Sequence, residues 1–209
     1  MSMPKERLYM AEELAIILYK LGCVKIGSFK LTSGMWSPIY IDLRRLPSHP
    51  EEFDRITDIC ARRVKDLKFD LICGIATGGI PLAAVVAFKL KKPFIYARKE
   101  EKRHGLSRLI EGDYTAGSEV LIIDDVATTG GTLERVVKAL RNQGLKVSQA
   151  LVVVDREQGA RERLSKLGVA LHALTTLKDI VAVLFRAELI SSEDYERVMK
   201  YLRGESDVV

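Results

Sequence analysis

The sequence predicts an α/β protein with a mostly parallel, twisted sheet flanked by helices. Three observations predict it. Short, mainly apolar runs at 69–73, 93–97, 120–123, 147–154 and 169–174 alternate with segments of helical period. Several of these runs are apolar almost throughout, as strands buried on both faces are. The 209 residues leave room for a helical crossover between successive strands, which parallel pairing requires.

The elements follow in order. Ala11, Leu14, Ala15, Leu18 and Leu21 share one face of an N-terminal helix. From Ser28 to Leu43 the pattern changes to strands: Phe29 and Leu31 precede a Ser33-Gly34 turn, and Ile39 and Ile41 follow it. A helix beginning after Pro50 carries Phe53, Ile56, Cys60 and Leu67. Strand 69–73 enters a loop over 74–79, and Pro81, suited to a first helical position, opens a helix through Leu90. Strand 93–97 leads into 98–113, a long charged segment without apolar period, of the kind that is usually functional or disordered. Strand 120–123 delivers Asp124-Asp125 and a Thr/Gly loop to a helix bearing Leu133, Val136, Val137 and Leu140, which stops at Gly144. Strand 147–154, helix 159–167 and strand 169–174 complete the alternation. Helices at 179–188 and 193–203 follow, Ser191 and Asp194 having capping-box spacing before the second.

Composition excludes several classes. Apolar residues make up 47% and charged residues 29%, the balance of a globular protein rather than a collagenous or disordered one. Cys23, Cys60 and Cys73 form no CxxC pair and sit among apolar residues, as reduced core thiols of an intracellular protein do. The uncharged stretch 71–88 has the length of a membrane span, but Gly74, Gly78, Gly79 and Pro81 interrupt it. It reads as strand, turn and helix. The charged N-terminus lacks the apolar run of a signal peptide. A soluble, cytoplasmic protein without a membrane partner is expected. The net charge of +5 points to anionic partners without choosing among them.

In parallel sheets ligands bind at the carboxyl ends of strands, which singles out 74–79, 98–113 and 124–132. The most informative run is Val120 to Thr132, where a buried strand carries two adjacent carboxylates into Val126-Ala127-Thr128-Thr129-Gly130-Gly131-Thr132. Gly130 and Gly131 permit close backbone approach and positive φ. The helix N-terminus behind them offers unpaired N–H groups to a phosphate, and the three threonines add hydroxyls. Neither G-x-x-x-x-G-K-[ST] nor G-x-G-x-x-G occurs, so this is not a Walker or dinucleotide loop. Asp124 and Asp125 suit sugar hydroxyls, hydrated Mg²⁺ or a ring that becomes cationic; turn capping is the structural alternative.

The run 122–132 resembles the phosphoribosyl-pyrophosphate motif of type I phosphoribosyltransferases. Three further segments resemble orotate phosphoribosyltransferases. They are Gly27 to Gly34 with Ser37-Pro38-Ile39-Tyr40, Arg98 to Gly105, and Val154-Asp155-Arg156-Glu157-Gln158-Gly159. The resemblance covers nearly the whole chain. It implies the type I phosphoribosyltransferase fold as a single domain, 1–209, with a small N-terminal hood. Residues 1–45 would contribute much of the hood, 46–175 the core sheet and 176–209 the C-terminal helices. It implies Mg²⁺-dependent transfer of phosphoribosyl from phosphoribosyl pyrophosphate to orotate, giving orotidine 5′-monophosphate and pyrophosphate, the step before UMP.

The resemblance also implies the site. Lys99, Lys102, His104, Asp124 and Asp125 are the catalytic set, with Lys102 or His104 a possible proton donor. Phosphoribosyl pyrophosphate meets these five together with Arg98, Ala76, Thr77, Gly78, Gly79, Ala127, Thr128, Thr129, Gly130, Gly131 and Thr132. Orotate meets Phe29, Lys30, Thr128 and Arg156; the arginine fork suits a planar carboxylate. The alternative for Arg156 is a surface ion pair with Glu157 or Glu162. Asp124 and Asp125 would meet Mg²⁺ through substrate or water. A homodimer sharing the 98–105 loop across subunits is implied too.

Two departures stand out. Many relatives carry lysine at the Thr32 position, where this chain has Lys30 two residues earlier, and some carry lysine at the Gly78 position. Backbone N–H groups of 76–79 would then hold most of the pyrophosphate. Trp36 is expected to pack near the hood, and His172 to be a satisfied strand residue. Two other readings keep parts of the pattern: transfer to a purine or uracil, and a nucleotide-sensing regulator that binds nucleic acid. The second lacks support, since aromatic content is 7% and no helix-turn-helix fits before Phe29. A fused decarboxylase is not expected within 209 residues.

Overall fold

The computed structural model describes residues 5–30, 34, 36–99 and 109–205. The chain divides into two compact units, Met1–Glu52 with Thr175–Val209, and Phe53–Leu174.

The first unit contains helix α1 (Lys5–Lys20) and an antiparallel hairpin, β1 (Val24–Lys30) and β2 (Trp36–Ile41). A 3-10 turn follows at Leu43–Ser48, capped by Asp42, whose carboxylate accepts from the Arg44 backbone N–H at 3.1 Å. Its C-terminal part holds α6 (Leu177–Arg186) and α7 (Ser192–Leu202). Leu14, Ala15 and Leu18 are buried as the helical spacing predicts, and α1 packs on α6. The Tyr19 hydroxyl donates to Leu189 O at 3.1 Å. Only half of the expected capping box forms. Ser191 Oγ accepts from Asp194 N at 3.0 Å, while the Asp194 carboxylate takes Arg197 at 2.6 Å. Asp is shorter than the Glu that usually closes the box.

Helix α2 (Pro50–Val64) leads into the second unit and ends before Leu67, which lies in the turn beyond it. The sheet then forms from β3 (Leu71–Ile75), β4 (Phe94–Ala97), β5 (Ile110–Glu111), β6 (Glu119–Ala127), β7 (Lys146–Asp155) and β8 (Ala170–Thr176). Their order is β5-β4-β3-β6-β7-β8. Pairs β3–β4, β3–β6 and β6–β7 are parallel, as the apolar runs predict, while β4–β5 is antiparallel. Helices α3 (Gly79–Leu90), α4 (Gly131–Asn142) and α5 (Ala160–Ser165) connect them. Every residue of β3 is buried, and Val120 to Ile123 of β6 are fully covered.

Three expectations change. Strand β6 runs through Ala127, so Asp124 and Asp125 lie within the strand rather than beyond it. Pairing with β7 continues there, Ala127 standing opposite Asp155, and this extends the strand past its apolar run. Segment 98–113 is not wholly loop, since Ile110–Glu111 returns as β5 along β4. Pro81 is the third residue of α3, not the first; a missing N–H costs nothing there because the first turn has no internal acceptors.

Candidate active site

The site lies where the strand order reverses. From β3 the chain moves outward to β4 and β5, then crosses back to β6 on the other side of β3. The loops leaving β3 and β6 therefore face one another across a crevice at the carboxyl edge, the place where open α/β sheets bind ligands. Residues 76–79 and 124–131 occupy it.

These two segments are in contact. A Cβ on Gly78 would overlap the Asp125 carboxylate, and one on Gly79 would lie 2.7 Å from Ile123 O and 2.9 Å from Asp124 Cα. The chain thus brings each glycine against one aspartate of β6. Asp125 Oδ1 accepts from Val126 N at 2.9 Å, and Asp124 Oδ1 accepts from Asp125 N at 2.9 Å. Neither bond caps a helix or a turn, which removes the capping alternative for the pair. Asp124 is 8% exposed. Burial, and then the neighbouring Asp125 charge, pushes its carboxyl well above the ordinary carboxylate range. Such a group gains strongly from a ligand hydroxyl or cation that reaches it. The Ala76–Thr77 peptide bond in the first loop is cis.

The second loop has its own geometry. Gly130 has φ +77°, and a side chain there would come within 2.9 Å of Ala160 Cα. Gly131 does not use the positive φ that glycine permits; it opens α4, and its missing Cβ faces open space except for Thr129 Oγ1 at 3.9 Å. Thr128, Thr129 and Thr132 are exposed around it. No side chain caps α4 at Gly130, and the acidic Glu134 of its first turn is held by Lys138 and Arg163 at 2.6 and 2.9 Å. The helix N-terminus remains suited to an anion.

Arg156 is placed beside this loop by the sheet. Its backbone N–H donates to Ala127 O at 2.9 Å, continuing the β6–β7 ladder one residue beyond Asp155. At 9% exposure it is buried, not the surface residue of the alternative reading. On the far side, Arg98 and Lys99 leave β4 at the same carboxyl edge. Arg98 N donates to Leu109 O at 2.8 Å, and its guanidinium takes Glu111 at 3.1 Å, closing the base of the 98–109 excursion. Lys99 is exposed, its carbonyl held by Arg135 Nη1 of α4 at 2.8 Å. Lys102 and His104 lie outside the described residues, as does Thr32.

Phe29 and Lys30 stand on β1 in the first unit, Phe29 half-buried with its ring 5.5 Å from that of Tyr40, and Lys30 exposed. Trp36, expected to pack, is 47% exposed. His172 is satisfied as expected, its Nε2 lying 2.6 Å from Gln149 Oε1. The sequence reading missed Glu111, Arg135 and Arg161, whose partners become neighbours only through pairing across the sheet or between helix and loop.

Comparison with known proteins decides the family. The phosphoribosyl transferase domain model matches residues 43–170. The orotate phosphoribosyltransferase of Staphylothermus marinus is 46% identical over 93% of this chain and 95% of its own. The chain belongs to the orotate phosphoribosyltransferase family. Solved structures agree. The orotate phosphoribosyltransferase of Aeropyrum pernix has a TM-score of 0.75 at 40% identity, covering 85% of this chain and 99% of that one. The UMP synthase of Leishmania donovani has a TM-score of 0.85 at 36% identity, covering 93% of this chain and 42% of that longer one. The α/β fold with its mostly parallel sheet is that of the type I phosphoribosyltransferases.

Proposed function

We infer that the protein transfers the 5-phosphoribosyl group from phosphoribosyl pyrophosphate to orotate, releasing pyrophosphate and forming orotidine 5′-monophosphate for pyrimidine biosynthesis. One observation carries this reading: the Asp124–Asp125 pair and the Gly78–Gly79 loop meet at the switch point of the sheet, beside an uncharged Thr/Gly anion loop. The two sites have opposite electrostatic character, as the reaction needs. Transfer develops positive charge on the ribose ring and negative charge on the departing pyrophosphate. The buried Asp124 and the partly buried Asp125 stabilise the ring and hold its hydroxyls. Backbone N–H groups of 77–79 and 128–132, with Thr128, Thr129 and Thr132, hold the phosphates; contrary to the sequence expectation the Ala76 N–H is not among them, since it donates to Ala97 O at 2.9 Å.

Arg98, Lys99, Lys102 and His104 are the cations that would neutralise the leaving group; one well-aimed donor of this kind is worth about 3–4 kcal/mol in the transition state. Lys102 or His104 supplies a proton to the departing oxygen. Phe29, Lys30, Thr128 and Arg156 bind orotate, the arginine taking the carboxylate in two parallel hydrogen bonds.

Mg²⁺ fits this donor set as a substrate-borne ion. Among the described residues no three His, Cys, Asp or Glu side chains converge to hold a metal. Mg²⁺ commonly keeps several waters and takes one or two carboxylates plus phosphate oxygens. Asp124 and Asp125 would meet the ion indirectly, through water or the substrate. When bound, the ion neutralises pyrophosphate charge.

A homodimer in which the 98–105 loop serves the neighbouring subunit belongs to the same proposal, as does a cytoplasmic location. Three free, buried cysteines support a reducing compartment. No described helix is long and apolar enough to cross a membrane. The reading is tested by pyrophosphate release: purified protein with phosphoribosyl pyrophosphate and Mg²⁺ should release it only when orotate is added, and a chelator should stop it. Release without orotate, or none with it, would refute the assignment.

A further inference from the structure

Asp155 is 1% exposed at the end of β7, directly before Arg156, and the site described so far does not use it. A carboxylate this deep must be compensated, and both oxygens are. Oδ1 accepts from Glu157 N at 2.9 Å, and Oδ2 takes Arg161 Nη2 at 3.2 Å. Arg161 is itself tied down, donating through Nη1 to Leu171 O at 2.7 Å. Glu157 has φ +56°, a left-handed conformation that a residue with a long side chain adopts only when its surroundings impose it. The bond from its N–H to Asp155 is such a constraint. Arg156 is therefore fixed from both sides: its own N–H by Ala127 O, and the next peptide by the Asp155 carboxylate.

We propose that Asp155 and Arg161 form a positioning pair that sets the Arg156 turn for recognition of the acceptor's planar carboxylate. The inference rests on the orotate-transfer reading and adds to it two residues that touch no substrate. A bidentate arginine–carboxylate contact takes its strength from two parallel hydrogen bonds in a fixed geometry, so a turned guanidinium loses affinity for the carboxylate. Loss of the pair should therefore weaken the acceptor base selectively. Phosphoribosyl pyrophosphate, held by loops on other strands, should be unaffected.

The test is steady-state kinetics on Asp155→Ala, Asp155→Asn, Arg161→Ala and Arg161→Lys, with melting temperature measured on each. For Asp155→Ala the orotate KM should rise about tenfold, with kcat and the phosphoribosyl pyrophosphate KM within about twofold of the parent. Asp155→Asn keeps an acceptor for Glu157 N–H and should fall between Asp155→Ala and the parent. Arg161→Lys should recover part of what Arg161→Ala loses. If Asp155→Ala does not fold, the Asp155→Asn and Arg161→Ala values decide. Unchanged orotate KM in folded variants would overturn the inference while leaving the transfer activity standing. So would a loss shared equally between both substrates. A parent enzyme that cannot use orotate would overturn both.

Discussion

The Cβ that Gly78 lacks would fall on the carboxylate of Asp125. The obstructing atoms are the end of a short side chain that can rotate away, not backbone. Gly78→Ala should thus fold normally but displace Asp125. We expect unchanged melting temperature and a loss of about tenfold or more in kcat/KM for phosphoribosyl pyrophosphate, as when one aimed catalytic group is lost. An active Gly78→Ala would show that the Asp125 position in this structure is not the working one.

Gly79 behaves differently, because a Cβ there meets Ile123 O and Asp124 Cα, both part of β6. Gly79→Ala should destabilise the fold itself by about 1–3 kcal/mol, the usual cost of overpacking. Thermal or denaturant unfolding would show it.

The carboxyl of Asp124 is raised by burial and by Asp125, so folding favours its protonated form. Its contribution to stability is full below the unfolded-state pKa and is lost as pH rises through the higher folded value. Asp124→Asn removes that loss and can keep the acceptor for Asp125 N. Without substrate, the variant should melt above the parent at neutral pH, the gap closing in acid, although its activity is lost. Equal melting at neutral pH would contradict the burial argument.

Arg135 ties α4 to the base of the 98–109 excursion through the Lys99 carbonyl. One exposed hydrogen bond is worth about 0.5–1.5 kcal/mol, so Arg135→Ala should lower kcat by roughly two- to tenfold. The orotate KM should hardly move, which separates this variant from Asp155→Ala.

Burial pushes the Cys23 thiol up to about 11 and those of Cys60 and Cys73 up to about 12. All three stay protonated at pH 8 and should resist a disulfide reagent until the protein unfolds. Rapid labelling of the native protein would contradict their placement.

What the sequence disclosed follows physical lines. Val120 to Thr132 was legible because a buried strand, two charges and a Thr/Gly turn lie in unbroken succession. The end of β6 was not, since Asp124 to Ala127 stay in the strand through pairing with β7 rather than through their own apolar character. Strand β5 has two residues, Ile110 and Glu111, too few to show a period. Arg98 and Glu111 meet only because that strand turns back. Arg156 was found by resemblance, but its support by Asp155 and Arg161 depends on a side chain reaching across a turn with positive φ, which no spacing rule announces.

Sharing of the 98–105 loop between subunits has its own test. Asp125→Ala and Lys102→Ala proteins, each inactive or nearly so, should regain activity when their subunits are mixed and allowed to exchange. No recovery after demonstrated exchange would place the loop in its own subunit's site.

The central claim is that this site transfers phosphoribosyl to orotate and not to another base. The most direct measurement offers orotate, uracil, hypoxanthine and adenine separately, with phosphoribosyl pyrophosphate and Mg²⁺, and follows the ultraviolet absorbance of each base. Consumption of orotate alone, or far ahead of the others, is the predicted result. Faster use of a purine or of uracil, or no use of orotate, would contradict it.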